Sequence, residues 1–535
     1  MDYDYVIVGS GFGGSVSALR LSEKGYRVLV IEKGKWFEAE DFPKTNWNLK
    51  KWLWEPRARL FGFFKMTFLN HVTVLSGVGV GGGSLTWANT MPIPQKAFFN
   101  TGSWASLNDW ETELKPYYQE AYRMLGAAEN TLLGPADEEI RELAKDLGRE
   151  NHFSKPKVAV YLGEAGQTVP DPYFGGKGPS RTGCIHCGAC MTGCRHNAKN
   201  SLDKNYLYLA QQLGAKIIAE KEVYDMLPID GQDGEKGYEV FFKNSLKRGG
   251  KEKIRAGHVI LAGGVMGTVP LLLKLKAKGS LPNLSDQVGR NIRTNNESLM
   301  VLTSTDTQGK DYTRGLAIGS ILHIDENSHL EPVRYGKGSS FFRLLTIPAV
   351  GQRWLTGRLL GMLGILVSKP LTFLKTLVKG NYSESSMITL FMQTLDSTLQ
   401  LKLGHITPLK TARESGPKPS GYIPEASKLA NALGKKIKAI PYANIADVLL
   451  GTPTTAHILG GAVMGKDAQE GVIDRDNQVF GYKNLLVCDG SMISANPGVN
   501  PSLSITAISE RAMANIPVKP AVRPEMNQAK EEFPI

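Results

Sequence analysis

"DYVIVGSGFGGSVSALRLSEKGYRVLVIEKG", running from Asp4 to Gly34, is the stretch whose reading decides the fold. Asp4–Val8 is an apolar, β-branched run stopped by glycine, which reads as a buried strand. Gly9, Gly11 and Gly14 form G-x-G-x-x-G, and Ser15–Glu23 follows with helical spacing. Gly25 stops the helix, Arg27–Ile31 is a second strand, and Glu32 ends it. Strand, glycine turn, helix, strand and acid in that order predict a Rossmann-like α/β unit that holds a dinucleotide. Gly9 permits the tight turn, Gly11 lets the backbone approach a pyrophosphate, and Gly14 lets helix and strand pack closely. The helix N-terminus then faces the phosphates, and Glu32 is placed for a ribose hydroxyl. A glycine-rich turn in another α/β protein is the alternative, and the motif alone does not separate FAD from NAD.

Three later stretches make that choice. "SGVGVGGGSLTWANTM" (Ser76–Met91) holds five glycines in seven residues between apolar segments, a backbone suited to wrapping tightly around a ligand. "HVILAGGVMGTVPLLLK" (His258–Lys274) reads as strand, small-residue turn and new helix. "NLLVCDGSMISANPGVNPSLSITAISERAM" (Asn484–Met513) has a strand ending in Asp489-Gly490, and then Asn500-Pro501 opens a helix. Asn is favoured as an N-cap and Pro at the first helical position, so that helix is expected to aim its positive end at whatever lies before Asn500.

These motifs, in this order and with "HILGGAVMG" (His457–Gly465), resemble the glucose–methanol–choline (GMC) flavoprotein oxidoreductases, and within them the cholesterol oxidase-like branch. The likeness runs from Asp4 to about Ile516. It implies FAD as cofactor and hydride transfer from an alcohol to flavin N5. It implies His457 and Asn500 as catalytic residues. Gly9, Gly11, Gly14, Glu32, Gly79, Gly82, Gly83, Ser84, Asn89, Val223, Asp489, Gly490, Asn500 and Pro501 are then cofactor-binding, with Val223 against the adenine. One departure is the family's His-Pro pair, which here is His457-Ile458 and leaves the catalytic loop less restrained. The chemistry agrees: alcohol oxidation needs the hydroxyl proton accepted while hydride leaves carbon, and imidazole does this near neutral pH. The same resemblance implies a glutamate base for double-bond isomerisation, which the sequence does not place.

"KTNWNLKKWLWEPRARLFGFFKMTFLN" (Lys44–Asn70) and "FFRLLTIPAVGQRWLTGRLLGMLGILVSKPLTFLKTLVKG" (Phe341–Gly380) interleave basic with aromatic or aliphatic residues. Both read as interfacial segments whose Lys and Arg snorkel toward lipid headgroups, with core helices of a substrate domain as the alternative. Peripheral membrane contact favours a lipophilic alcohol over a sugar or choline. "SSMITLFMQTLDSTLQLKL" (Ser385–Leu403) holds two strand-like runs expected to floor the substrate cavity.

Cys184, Cys187, Cys190 and Cys194 have C-x2-C-x2-C-x3-C spacing, as in a ferredoxin run but without its following proline. An iron–sulfur cluster, zinc, disulfides and unligated thiols all remain open. A cluster would direct electrons to a carrier or quinone; without one, oxygen is the natural acceptor.

Composition sets the frame. With 42% hydrophobic and 21% charged residues the 535-residue chain is globular, and its +12 charge suits an anionic surface. The basic residues are dispersed and no zinc-finger, RRM or KH pattern occurs, so nucleic acid is not an expected partner. The first residues have no basic n-region or long apolar run, so the expected place is the cytoplasm, against the inner membrane face. The expected layout is a discontinuous FAD domain (1–95, 200–310, 455–517), a mainly antiparallel substrate or cap domain (96–199, 311–454) with the Cys-rich loop 183–201, and a loose tail (518–535). The expected function is oxidation of a lipophilic secondary alcohol, a 3β-hydroxysterol first. A dehydrogenase for another bulky alcohol is second, and a flavin/iron–sulfur electron-transfer partner without alcohol chemistry is third.

Overall fold

Tyr3–Val8 and Val28–Ile31 pair in parallel and Phe12–Glu23 crosses between them, as the opening stretch predicts. The computed structural model describes residues 1–520 except 230, 232, 248, 351–354, 405–406 and 418. The parallel core continues through Lys216–Ile218, Glu252–Leu261 and Leu485–Val487. Tyr238–Asn244 and Lys221–Pro228 extend it antiparallel from the lower half of the long strand. Seven strands from widely separated segments thus make one sheet. Val28–Ile31 and Leu485–Val487 are buried throughout and Tyr3–Val8 at its centre, which explains the Val, Ile and Leu in these strands.

A second seven-stranded sheet is antiparallel throughout. Its centre is Ser298–Ser304, Ser386–Gln393 and Ser328–Val333, side by side. Successive residues alternate faces. Met300, Leu302, Leu330, Met387 and Phe391 pack outward under the helices Pro135–Asp146 and Pro424–Lys436. Leu299, Val333, Ile388, Leu390 and Met392 face inward, where Ala88 and Met191 join them. Ser298–Ser304 lies between two strands of this sheet, so the substrate part begins near 298 rather than near 311.

The two basic–aromatic segments part company. Trp52, Trp54, Phe63 and Phe64 are buried, and the aromatic cluster around Trp52 includes Phe37 and Leu85. Lys44–Asn70 is therefore mainly core; its rings stack on each other, as Trp52 does on Phe64 at 4.6 Å. Phe341–Gly380 instead leaves many aliphatic side chains exposed. Of the two strand-like runs in Ser385–Leu403, the first joins the substrate sheet and the second pairs with Ile292–Arg293 and Leu409–Ser415. The tail expected to be loose falls mostly on 521–535, outside the described residues; before it, Lys519 N donates to Lys24 O.

Candidate active site

Backbone contacts account for the first glycines. Gly9 has φ +106°, and a Cβ there would lie 2.4 Å from Ala262 O. At Gly14 a Cβ would lie 2.1 Å from Gly9 O, which is the helix–strand contact expected of it. At Gly11 the nearest atom to a Cβ is 3.9 Å away, so its face is open. Gly82 approaches that face: a Cβ on it would be 2.7 Å from Gly11 Cα. Two glycine loops, 77–83 and 9–14, therefore close on each other at the start of Phe12–Glu23, whose first N–H groups have no helical acceptor.

The other expected cofactor residues divide into scaffold and free groups. Glu32 accepts from Ser10 N (3.1 Å), Ser10 Oγ (2.8 Å) and Gly34 N (2.8 Å), which ties the glycine turn to the second strand. Its remaining lone pairs leave room for a ribose hydroxyl. Ser84 Oγ donates to Gly81 O (2.7 Å) and accepts from Leu202 N (3.1 Å), so it braces the loop. Asp489 accepts from Gly264 N (2.8 Å) and Ser491 N (2.8 Å), so its carboxylate shapes the turn at Gly490. Gly79 has φ +146° and sits against Leu85; Gly83 is not crowded; Val223 packs partly buried beside the sheet core. Asn89 is buried in left-handed backbone (φ +70°), with neither amide atom hydrogen-bonded, and Trp87 Nε1 is buried without a partner. Buried amides are rarely left so. A flavin placed in this loop would satisfy them, and the residues fit an FAD.

His457 and Asn500 meet. Asn500 Nδ2 lies 3.4 Å from His457 Nε2, while Asn500 Oδ1 is buried and unpartnered. The expected cap is corrected by one residue: the helix is Ser502–Ala514, its N-cap is Pro501, and no side chain caps it. The Asn500 amide is turned to the imidazole instead. A residue the sequence did not single out completes the group. Glu297, its side chain fully buried, lies 3.0 Å from His457 Nδ1 and also accepts from Thr455 Oγ1 and Ala456 N. An ionised carboxylate only accepts, so Nδ1 carries a proton and Nε2 is the free acceptor. Burial alone would lower the His457 pKa; the Glu297 charge and hydrogen bond, with the Glu331 charge, hold it above the ordinary imidazole value. Burial alone would raise Glu297; His457 and the bonds to it, Thr455 and Ala456 hold it below the usual carboxylate range.

The His457-Ile458 loop does not need a proline. Arg293 and Leu459 exchange backbone hydrogen bonds at 2.8 and 2.9 Å, and Thr454–Thr455 pairs in parallel with Thr73–Val74, the strand that leads into the flavin loop. A second carboxylate stands nearby. Glu331 is completely buried on the substrate sheet with no hydrogen-bond partner on either oxygen; His329 Nε2 is 3.5 Å away. No local sequence signal marked Glu297 or Glu331.

All four clustered cysteines line one cavity with His196 and Lys199, and all are free thiols in this structure. Among the described residues no three Cys, His, Asp or Glu side chains are placed to hold a metal ion. Burial, with the neighbouring sulfurs, pushes the Cys184 thiol well up and Cys190 to about 11.

A Rossmann-like sheet whose glycine cradle opens beside an antiparallel substrate sheet defines a two-part flavoenzyme of the oxidoreductase class. Family models agree: residues 179–296 and 411–509 match GMC oxidoreductase, and 7–36 match an NAD(P)-binding Rossmann-like domain. A cholesterol oxidase of Acinetobacter baumannii is 44% identical over 97% of this chain and 95% of its own. One of Mycobacterium tuberculosis is 42% identical over 97% and 92%. In fold, pyridoxine 4-oxidase from Mesorbium loti superposes with TM-score 0.60 at 15% identity, over 96% of this chain and 98% of that one. The chain belongs to the GMC oxidoreductase family and is an FAD-dependent oxidoreductase acting on CH–OH groups.

Proposed function

We propose that this enzyme oxidises a lipophilic secondary alcohol, a 3β-hydroxysterol first, to its ketone. One observation carries the reading: His457, with Asn500 at its Nε2 and Glu297 at its Nδ1, follows the strand that pairs beside the one leading into the flavin loop, and the sheet face of Leu299, Val333, Ile388, Leu390 and Met392 meets that loop at Ala88. A face dominated by aliphatic side chains suits a fused-ring or long-chain body better than a sugar, whose hydroxyls would find few partners there besides Glu331. The 42–44% identity to cholesterol oxidases supports the sterol as the first choice.

His457 Nε2 accepts the hydroxyl proton while the hydride leaves the same carbon, and Asn500 Oδ1 and Nδ2 position the oxygen. FAD, when bound, supplies the acceptor for that hydride at N5. Glu297 fixes the imidazole's tautomer and balances the positive charge it gains. Glu331, buried without a hydrogen-bond partner, is the candidate for the isomerising base, carrying a proton between carbons of an unsaturated ketone. Anaerobic titration with a 3β-hydroxysterol tests the reading: flavin absorbance should bleach in wild type and persist in His457→Ala, which keeps its cofactor. Bleaching by His457→Ala at the wild-type rate would overturn the assignment. No bleaching in either protein would discard the sterol.

Delivery of that substrate from a bilayer fits the exposed aliphatics of Phe341–Gly380. For the electron acceptor, oxygen is the first reading. A second follows from the four-cysteine cavity: Cys184, Cys187, Cys190 and Cys194 line it together, and four thiolates are the ligand count of an iron–sulfur cluster. Lys199 Nζ donates to both Cys190 O and Leu85 O at 2.9 Å, which joins the cysteine loop to the flavin loop. Such a cluster would pass electrons on to a carrier or quinone. Iron and acid-labile sulfide analysis decides: stoichiometric iron lost in Cys190→Ser supports it, and iron-free, fully active protein refutes it.

A further inference from the structure

Residues 332–383 hold eight Lys or Arg and no Asp or Glu. Within them Leu355–Ser368 and Pro370–Leu377 form two helices joined at Lys369. The residue before a proline is disfavoured in helical backbone, and the axes of Thr356–Ser368 and Pro370–Thr376 bend by 95°. The outer side of this elbow is apolar. Leu360, Val367, Leu371 and Val378 are 69, 73, 71 and 76% exposed, with Leu359, Leu363 and Leu374 beside them. Single exposed leucines are ordinary, whereas a contiguous group marks an interaction surface. Among the described residues no single helix is long and apolar enough to cross a membrane; the bent pair together has that length and composition. Lys369 and Lys375 sit on the same elbow, suited to phosphate headgroups.

The inner side is continuous with the substrate sheet. Ile365 and Phe373 pack with Val301, Tyr382, Ile440 and Tyr442. Ile388 belongs to that cluster and also to the one containing Leu299, Leu390 and Ala88 of the flavin loop. Apolar contact therefore runs unbroken from the elbow to the flavin loop. Two arginines fasten the elbow: Arg343 donates to Lys379 O and Thr376 O, and Arg358 donates to Val448 O (3.0 Å) in the turn Ala446–Leu450. That turn precedes the strand Thr454–Thr455, which leads to His457.

The geometry points to the elbow as the surface that docks on an anionic bilayer, with its inner side the entrance through which a lipophilic alcohol reaches the inner sheet face. This rests on the reading that the substrate is drawn from a membrane and adds the surface and the path. An acid-free cationic stretch around exposed aliphatics is complementary to an anionic lipid surface and to no apolar protein groove in particular.

The test floats the full-chain holoenzyme with phosphatidylcholine–phosphatidylglycerol vesicles, beside Leu363→Glu/Leu371→Glu. Both positions are exposed and glutamate is a good helix former, so the fold is kept. Wild type should float, and the variant's partition should fall about tenfold or more. The variant should turn over vesicle-borne sterol about tenfold more slowly than wild type and detergent-dispersed sterol equally fast. Failure of wild type to float overturns the docking. A variant that floats like wild type overturns its assignment to the elbow. A variant that no longer floats yet oxidises vesicle-borne sterol normally overturns the entrance. If neither protein oxidises sterol, the substrate reading has failed, and flotation still decides the docking.

Discussion

Glu297→Gln removes a charge and little else. The side chain is fully buried, so the near-isosteric amide keeps its volume. Wild-type Glu297 takes three donors: His457 Nδ1 at 3.0 Å, Thr455 Oγ1 and Ala456 N at 3.2 Å. Glutamine offers one acceptor oxygen, and its NH2 group meets a donor on the other side. The charge-assisted bond to an imidazolium forming in the transition state contributes about 1.5–3 kcal/mol. Lost, it should cut the rate of flavin reduction by roughly 10- to 150-fold. The pH profile moves as well. His457 works as neutral imidazole, so the rate should rise with pH through its pKa, which Glu297 and Glu331 hold above the ordinary value. In Glu297→Gln the ascending limb should shift to lower pH while the plateau drops. The fold follows the pairing in the same sense. The raised His457 pKa contributes stability that is lost as pH rises through it, and the lowered Glu297 pKa contributes stability lost as pH falls through it. The assay is anaerobic stopped-flow bleaching of the flavin across pH, with bound FAD measured in parallel. A rate within about threefold of wild type and an unmoved limb would refute the tautomer and charge argument.

Asn500→Ala should keep bound FAD and lose about 100-fold in kcat, because it removes both polar atoms beside His457 Nε2; unchanged kcat with raised KM would make Asn500 a binding group only. Gly9→Ala should yield protein without flavin absorbance at ordinary FAD, since its Cβ meets Ala262 O at 2.4 Å in left-handed backbone; a normal flavin-to-protein absorbance ratio would contradict the cradle. Glu331→Gln should still bleach the flavin with sterol but release the unconjugated ketone, read from the missing enone absorbance; conjugated product at the wild-type rate would exclude Glu331 as the base. Burial pushes the Asp447 carboxyl up to about 7, so wild-type stability should fall as pH rises from the ordinary carboxylate range to that value. Asp447→Asn should flatten this fall in a Tm-against-pH series, and parallel curves would refute it.

Features that rest on near neighbours were legible in the sequence. The strand–turn–helix–strand opening shows in Asp4–Glu32 because apolar periodicity and glycine placement act within a few residues. Gly9 and Gly14 could be given their tasks in advance because each task is a contact with the adjoining turn or strand. His457 and Asn500 were found through the motifs around them. Asn500's exact office was not, since its side chain had to choose between capping a helix and facing an imidazole.

What only the tertiary structure decided depends on distant segments meeting. Glu297 lies 160 positions from His457 and reaches it because the Arg293–Leu459 bridge joins the segments that carry them. Glu331 became notable only once burial left its oxygens without donors. The two basic–aromatic segments look alike in sequence, yet Trp52, Phe63 and Phe64 close a core while Leu360, Val367 and Leu371 stay outside. Composition sets which side chains are apolar; only the surfaces that the rest of the chain leaves available determine which of them are covered.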